Sequence, residues 1–208
     1  MTTEYIMNRL NIYKTNPNVV LPKFGTKQAA CFDISFQAEG KATYSGYNSF
    51  NAPFTRPLSN VGAIRIMPGD RILVPTGLIF DIPEGYSVRI HPRSGLSYKQ
   101  GLILANLEAV IDSDYIQETF ILLTNRSEVD QTINNGDRIA QAELVKKEEY
   151  VLWEIMEAPT QKTDRIGGLG STGVAVFVPD EIKTEPVVLN EQVQSEVKRG
   201  RGRPRKVA

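Results

Sequence analysis

Asp112, Ser113 and Asp114 follow the apolar, β-branched pair Val110-Ile111 and precede Tyr115. A carboxylate at the end of such a run can take a proton from water. In a strand, alternate residues share a face, so the two acids could project together. The same tripeptide between apolar runs also reads as a plain hairpin turn. Asp33 poses a second question, because it interrupts the apolar segment 29–36. Burying it unpaired is costly, so it must reach solvent at a site or meet a cation. Further on, Gly167-Gly168-Leu169-Gly170 lacks side-chain bulk at three of four positions, with Arg165 before it and Ser171 and Thr172 after it. A backbone of that kind can fold over phosphates, and without its flanking residues it would read as a flexible linker.

Cys31 and His91 are the only cysteine and histidine in the chain. One cysteine excludes an intrachain disulfide, and its neighbours Ala30 and Phe32 predict a small buried thiol. A single histidine excludes a metal cage built on histidines, and His91 follows the alternating run Tyr86, Val88, Ile90, which predicts a structural role.

These residues need a frame, and the punctuation of the chain predicts one. Short apolar runs between residues 63 and 144 are separated by Met67-Pro68-Gly69-Asp70, Ile82-Pro83-Glu84-Gly85 and Asn134-Asn135-Gly136-Asp137. Turn signals at that spacing, with β-branched residues between them, predict an all-β sandwich or barrel. A strand is expected over 6–13, a helical turn over 94–99, and a closing pair of strands over 139–145 and 150–154. Residues 39–62 are rich in Asn, Ser, Gly and Pro yet hold Tyr44, Tyr47, Phe50 and Phe54, which predicts an ordered insertion whose aromatic rings pack onto something.

The 208 residues, 41% of them hydrophobic and 23% charged, suffice for one β domain with appendages. Neither a membrane-length apolar run nor a secretion signal is evident, which predicts a soluble cytoplasmic protein. Net charge is zero, with 24 basic and 24 acidic residues, but the charges are segregated. Lys198, Arg199, Arg201, Arg203, Arg205 and Lys206 crowd the last stretch, and the rest is mildly acidic.

Pro92-Arg93-Ser94-Gly95-Leu96 followed by the run Val110 through Tyr115 resembles two motifs of the trimeric deoxyuridine triphosphatase (dUTPase) family. Gly136-Asp137-Arg138-Ile139-Ala140-Gln141 is similar to its fourth motif, the segment 165–173 to its fifth, and the segment 30–34 with Asp33 to its first. The five occur in the family's order over roughly residues 5–173. The resemblance implies a jelly-roll or distorted β-barrel domain that forms a homotrimer, with each site drawing on different subunits, and hydrolysis of dUTP to dUMP and pyrophosphate.

It also implies roles. Asp112 would be the general base for water attacking the α-phosphorus, and Asp33 would hold water ligands of a Mg²⁺ bridging the phosphates. Arg93, Ser94 and Gly95 would contact phosphates, with Gln141 adding an amide. Asn106 would read the uracil edge, and Tyr115 would pack on the deoxyribose and exclude a ribose hydroxyl. Arg165, Gly168, Leu169, Gly170, Ser171 and Thr172 would close over the nucleotide. Asp114, Ser97, Lys99 and Asp137 read as structural, and Arg138 as one half of a local ion pair. The sequence departs from the family at Leu169, where an aromatic ring usually stacks on the base, and at Glu108, Ala109 and Gln117. The first departure predicts weaker closure, because base–aromatic stacking is worth about 1–3 kcal/mol.

The organisation expected is a β domain over 1–156 with an insertion at about 39–62, a strap and Gly-rich arm over 157–178, an acidic disordered linker over 179–197 and a basic tail over 198–208. Arg201-Gly202-Arg203-Pro204 resembles the core of an AT-hook. There glycine sits deep in a narrow minor groove and arginines exploit its negative potential, so A·T-rich double-stranded DNA is the partner expected and a nucleoid or nuclear location becomes conceivable. Two other readings compete. One is a dCTP deaminase-like enzyme, and the other is a weakly active dUTP-binding regulator tethered to DNA.

Overall fold

Alternation of apolar and polar residues folds segment after segment of this chain into short strands, because one face of each can then be buried. The computed structural model describes residues 9–164 and 167. The strands are β1 (Asn11–Lys14), β2 (Lys23–Phe24), β3 (Phe32–Ser35), β4 (Thr43–Tyr47), β5 (Pro53–Pro57), β6 (Ile64–Ile66) and β7 (Arg71–Pro75). They continue as β8 (Leu78–Asp81), β9 (Tyr86–His91), β10 (Leu102–Leu104), β11 (Ala109–Asp112), β12 (Phe120–Asn125), β13 (Gln131–Ile133) and β14 (Arg138–Lys146). One helix, α1 (Ser94–Gln100), lies between β9 and β10. The all-β reading and the helical turn near residue 94 hold.

Two five-stranded antiparallel sheets dominate, ordered β10-β12-β7-β4-β5 and β11-β9-β14-β3-β2, with the pairs β1-β8 and β13-β6 beside them. This is the jelly-roll type of arrangement expected. Ile34 and Phe36 from the β3 region, Ile64 and Ile66 from β6, Ile72 and Val74 from β7, and Val88 and Ile90 from β9 have no exposed surface. Each such side chain removed from water contributes roughly 1.5–3 kcal/mol, so this shared core holds the sheets together.

Residues 39–62 fold around the hairpin of β4 and β5, where Tyr44 and Phe54 pack while Phe50 is exposed and packs on nothing, against the expectation for it. Tyr44 is buried and donates its hydroxyl to the Arg65 carbonyl at 2.6 Å, and its ring meets Phe54 edge-on at 6.1 Å. Gly46 sits where β4 crosses against β7, and a Cβ there would collide with the Arg71 carbonyl oxygen and press on Ile72. Gly46→Ala is therefore expected to destabilise the fold by about 1–3 kcal/mol, read as a fall in urea midpoint. An unchanged midpoint would mean that β4 can shift away at no cost.

The expected strand over 150–154 does not form. Residues 150–154 pair with no strand among the described residues, and Tyr150, Val151 and Leu152 are exposed. The start of the expected strand over 6–13 lies outside the described residues, and its end falls in β1. The chain divides into two units, Met1–Leu152 and Trp153–Ala208, and the described residues of the second contain no helix or strand. No helix among the described residues is long and apolar enough to cross a membrane.

Candidate active site

Asp33 receives the cation that its position demanded. It lies on the outward face of β3, and its carboxylate pairs with Arg93, whose Nε is 2.8 Å from Oδ1, and accepts from Arg138 Nη1 at 2.9 Å. Arg138 reaches it because β14 carries a bulge. Its register against β3 jumps from Arg138 opposite Ser35 to Ala140 opposite Ile34, and Ile139 and Ala140 are both buried. Strict alternation would turn Arg138 inward with Ala140. The extra residue turns it outward, onto the face of Asp33. The reading of Arg138 as one half of a local ion pair is thus too narrow, since its partner lies across the sheet and is shared with Arg93.

Gln141 stands between Asp33 and His91 in register, and its amide donates to the Pro92 carbonyl at 3.0 Å. Arg93 also donates from Nη1 to the Arg138 carbonyl at 2.9 Å, so the turn leaving β9 is fixed to β14 at two points. Ser94 and Gly95 open α1 and are exposed beside it. This cluster has two guanidiniums, an amide and a short exposed turn gathered around one carboxylate, which suits an anion carrying several charges.

Mg²⁺ fits this donor set only through water. A carboxylate has roughly four acceptor directions, and the guanidiniums take two at Asp33, which leaves room for metal-bound water. A hard cation that keeps several waters needs no all-protein cage. Among the described residues, no cluster of carboxylates forms one.

Asp112 is elsewhere. Residues 105–108 carry the chain from one sheet to the other, since β10 pairs with β12 whereas β11 pairs with β9. Asp112 ends β11 opposite Ser87, near the start of β9, whereas Arg93 lies beyond that strand's other end. At ~3.3 Å per residue, the separation from Ser87 to Arg93 is roughly 20 Å. Asp112 is exposed, and the Tyr115 amide donates to its carbonyl at 3.1 Å. Asp114 sits in that turn, as its structural reading required. Tyr115 is half exposed and donates its hydroxyl to the Glu118 carbonyl, and Asn106 is exposed in the crossover. An open groove of about 1050 Å³ beside Asp112 takes in Tyr86, Ser87, Arg89, Lys146 and Lys147. Another, of about 900 Å³, lies over β4, β5 and β7, and Arg71 is its one charged side chain.

One chain thus brings together Asp33, Arg93, Ser94, Gly95 and Gln141, and keeps Asp112 and Tyr115 at a distance, with Asn106 in the crossover before the other end of β11. Arg165, Gly168, Leu169, Gly170, Ser171 and Thr172 lie outside the described residues, as do Arg201, Gly202, Arg203 and Pro204. Ser97 and Asp137 serve local structure, with Ser97 Oγ donating to the Arg93 carbonyl and Asp137 accepting from the Asn134 amide. Cys31 is half-buried on the same face as Asp33, and burial, with Glu143 adding to it, pushes its thiol up from the ordinary value.

The family model for dUTPase matches residues 58–173. The deoxyuridine 5'-triphosphate nucleotidohydrolase of Nautilia profundicola is 36% identical over 166 residues, which cover 79% of this chain and 99% of that protein. That of Caulobacter vibrioides is 34% identical over 167 residues, covering 80% and 94% respectively. The Staphylococcus bacteriophage 80alpha dUTPase with dUPNHPP is similar in fold, with a TM-score of 0.63 at 22% identity over 81% of this chain and 100% of that one. So is a phage phi11 dUTPase described with a structural Mg(II) ion, at a TM-score of 0.55 and 22% identity over 72% and 98%. On the family match and the full-length relatives together, this chain belongs to the dUTPase family.

Proposed function

We propose that the chain hydrolyses dUTP to dUMP and pyrophosphate, as a dUTP diphosphatase. The observation that carries this reading is the family match over residues 58–173, which spans the segments of Arg93, Asp112, Gln141 and the Gly-rich arm. Water attacks the α-phosphorus, the bond to the bridging oxygen of the β-phosphate breaks, pyrophosphate leaves and Asp112 takes the proton. Arg93 and Arg138 neutralise developing charge, and Ser94 and Gly95 lie against the phosphates. Gln141 keeps the Arg93 turn in place through Pro92. Asn106 and β11 meet the uracil edge, while Tyr115 against the sugar leaves no room for a 2′-hydroxyl. Asp33 would hold Mg²⁺ through metal-bound water, and the ion would supply charge that offsets the phosphates. Arg165 and the 168–172 segment close over the nucleotide, with Leu169 in place of a stacking ring. The family match does not favour a dCTP deaminase-like reading.

Pyrophosphate release by the purified protein with Mg²⁺ tests the proposal. Release is expected from dUTP and not from dCTP, dTTP or UTP. Saturable binding of dUTP without release would leave only the regulator reading.

A homotrimer with shared sites follows from the same reading, because Asp112 and Arg93 are roughly 20 Å apart in one chain, at ~3.3 Å per strand residue. Each site then takes Asp112 from one subunit and Arg93 from another. Mixing and reassembling equal amounts of Asp112→Asn and Arg93→Ala chains should restore activity, with about one site in four receiving both native residues if subunits exchange at random. An inactive mixture that has demonstrably exchanged subunits would place both residues in one chain's site.

The segments assigned are a β domain over 1–156, a strap and arm over 157–178, an acidic linker over 179–197 and a DNA-binding tail over 198–208. Uracil would be kept out of DNA by an enzyme held near it. Deleting 198–206 should abolish binding to A·T-rich duplex. The intact chain should lose affinity with salt at a slope near −5, from about −0.9 for each of up to six phosphates contacted. Equal affinity with and without the tail would remove the tether.

A further inference from the structure

The chain's only cysteine and only histidine, Cys31 and His91, are sixty residues apart in sequence and meet in space. Glu143 joins them. One ligand atom from each of the three lies within 4.8 Å of the others, and His91 Nε2 is 3.2 Å from Glu143 Oε1. This is the one such group of three among the described residues. The three come from three neighbouring stretches of one sheet: Cys31 immediately before β3, Glu143 on β14 and His91 at the end of β9. Each is half-buried, so solvent can reach the cluster while the sheet holds it.

We propose that Cys31, His91 and Glu143 form a binding site for a single zinc ion, distinct from the magnesium of the nucleotide site. A thiolate, an imidazole and a carboxylate make a donor set that suits zinc and not a hard cation, which takes oxygen ligands. Zinc binds these at about 2.0–2.3 Å, so tetrahedral geometry separates its ligand atoms by about 3.3–3.6 Å. The His91–Glu143 distance already lies close to that edge, and Cys31, within 4.8 Å of both, needs a contraction of at most about 1.3 Å to complete the triangle. The fourth position faces solvent and takes water. Binding expels the thiol proton, and the metal's charge offsets the burial and the Glu143 charge that otherwise keep that proton in place.

The site's position gives it a task. In sequence, Cys31 is two residues from Asp33, Glu143 two from Gln141 and His91 two from Arg93. Alternate residues share a face, so all three ligands stand in line with the anion cluster and on its side of the sheet. The ion cross-links β3, β14 and β9 directly beside it and holds the three strands in register. This inference stands whether or not the chain hydrolyses dUTP.

The test uses the full chain without a histidine tag, stripped with a chelator and titrated with Co²⁺ as a spectroscopic substitute, then with Zn²⁺ in competition. One Co²⁺ per chain is expected, with a near-ultraviolet thiolate-to-cobalt band that can come only from Cys31, and zinc should displace it. Cys31→Ser should lose the band and weaken zinc by more than about 100-fold, beyond the usual effect of an outer-shell change. Glu143→Gln should keep the band and weaken zinc. Zinc should raise the melting temperature of the unsubstituted chain and not that of Cys31→Ser, with circular dichroism reporting whether the variants fold. Absence of the cobalt band in the unsubstituted chain at saturating Co²⁺ would overturn the proposal, and so would equal zinc affinity in a folded Cys31→Ser chain.

Discussion

Replacing Asp112 with asparagine is expected to lower dUTP turnover by about 10²–10⁴-fold, the usual worth of a positioned general base. The amide keeps the size of the side chain and removes its ability to take a proton from the attacking water. Because Asp112 is exposed at the end of β11, the change should move stability by no more than about 0.5 kcal/mol. The loss should appear in kcat, with KM little changed, since in the proposed shared site the phosphates meet Arg93 and Ser94 of another subunit. Pyrophosphate release with Mg²⁺, beside a urea denaturation curve for each protein, checks both halves. Turnover within a few-fold of the unsubstituted chain would remove Asp112 as the base, and the groove at Arg89, Lys146 and Lys147 would need another role.

The largest effect on stability is expected at Asp70, a residue with no part in the chemistry. It is 2% exposed in the turn between β6 and β7, and its Oδ2 accepts from Arg56 Nη1 at 2.5 Å and from the Met67 amide at 3.1 Å. Burial works against the charge of Arg56, but the bonds to Asp70 and Tyr44 outweigh it and raise its pKa, so the guanidinium stays charged. Its carbon centre also lies 3.6 Å from the Phe54 ring centroid. Asp70→Ala leaves that cation and the Met67 amide without their acceptor and frees the β4–β5 hairpin from the turn. Removing one partner of a buried pair costs about 3–5 kcal/mol, and with the Arg56 side chain 24% exposed the loss is expected at the lower end of that range. Urea unfolding at fixed protein concentration would measure it, the concentration being held because assembly adds to apparent stability. Adding Arg56→Met to Asp70→Ala should cost less than the sum of the two single changes, because no unpaired charge remains. A loss below about 1 kcal/mol for Asp70→Ala would mean that the backbone pairing of β4 with β7 holds the hairpin unaided.

Much of the fold was legible along the chain because its causes are local. Turn residues and alternation mark where strands begin and end, as at Met67-Pro68-Gly69-Asp70 before β7 and Asn134-Asn135-Gly136-Asp137 before β14. At the second of these, Gly136 adopts a φ of +89°, which other residues rarely tolerate. The strand expected over 150–154 failed for a non-local reason. Its residues suit a strand, but a strand also needs a partner, and residues 150–154 pair with none among the described residues.

The residues of the candidate site were legible one at a time, because a carboxylate in an apolar strand or an arginine before a small-residue turn demands a partner wherever it lies. The sequence by itself determined that Asp33 must reach solvent at a site or meet a cation, and that this is a β protein of the dUTPase type. Only the tertiary structure decided which cations. The bulge at Ile139 is one extra residue among nine in β14, with no mark in the composition, yet it reverses the direction of Arg138 and delivers it to Asp33. Likewise Cys31, His91 and Glu143 are unremarkable where they stand in the chain. Their meeting depends on the register of β3, β14 and β9, which is fixed by the pairing of whole strands and the core beneath them.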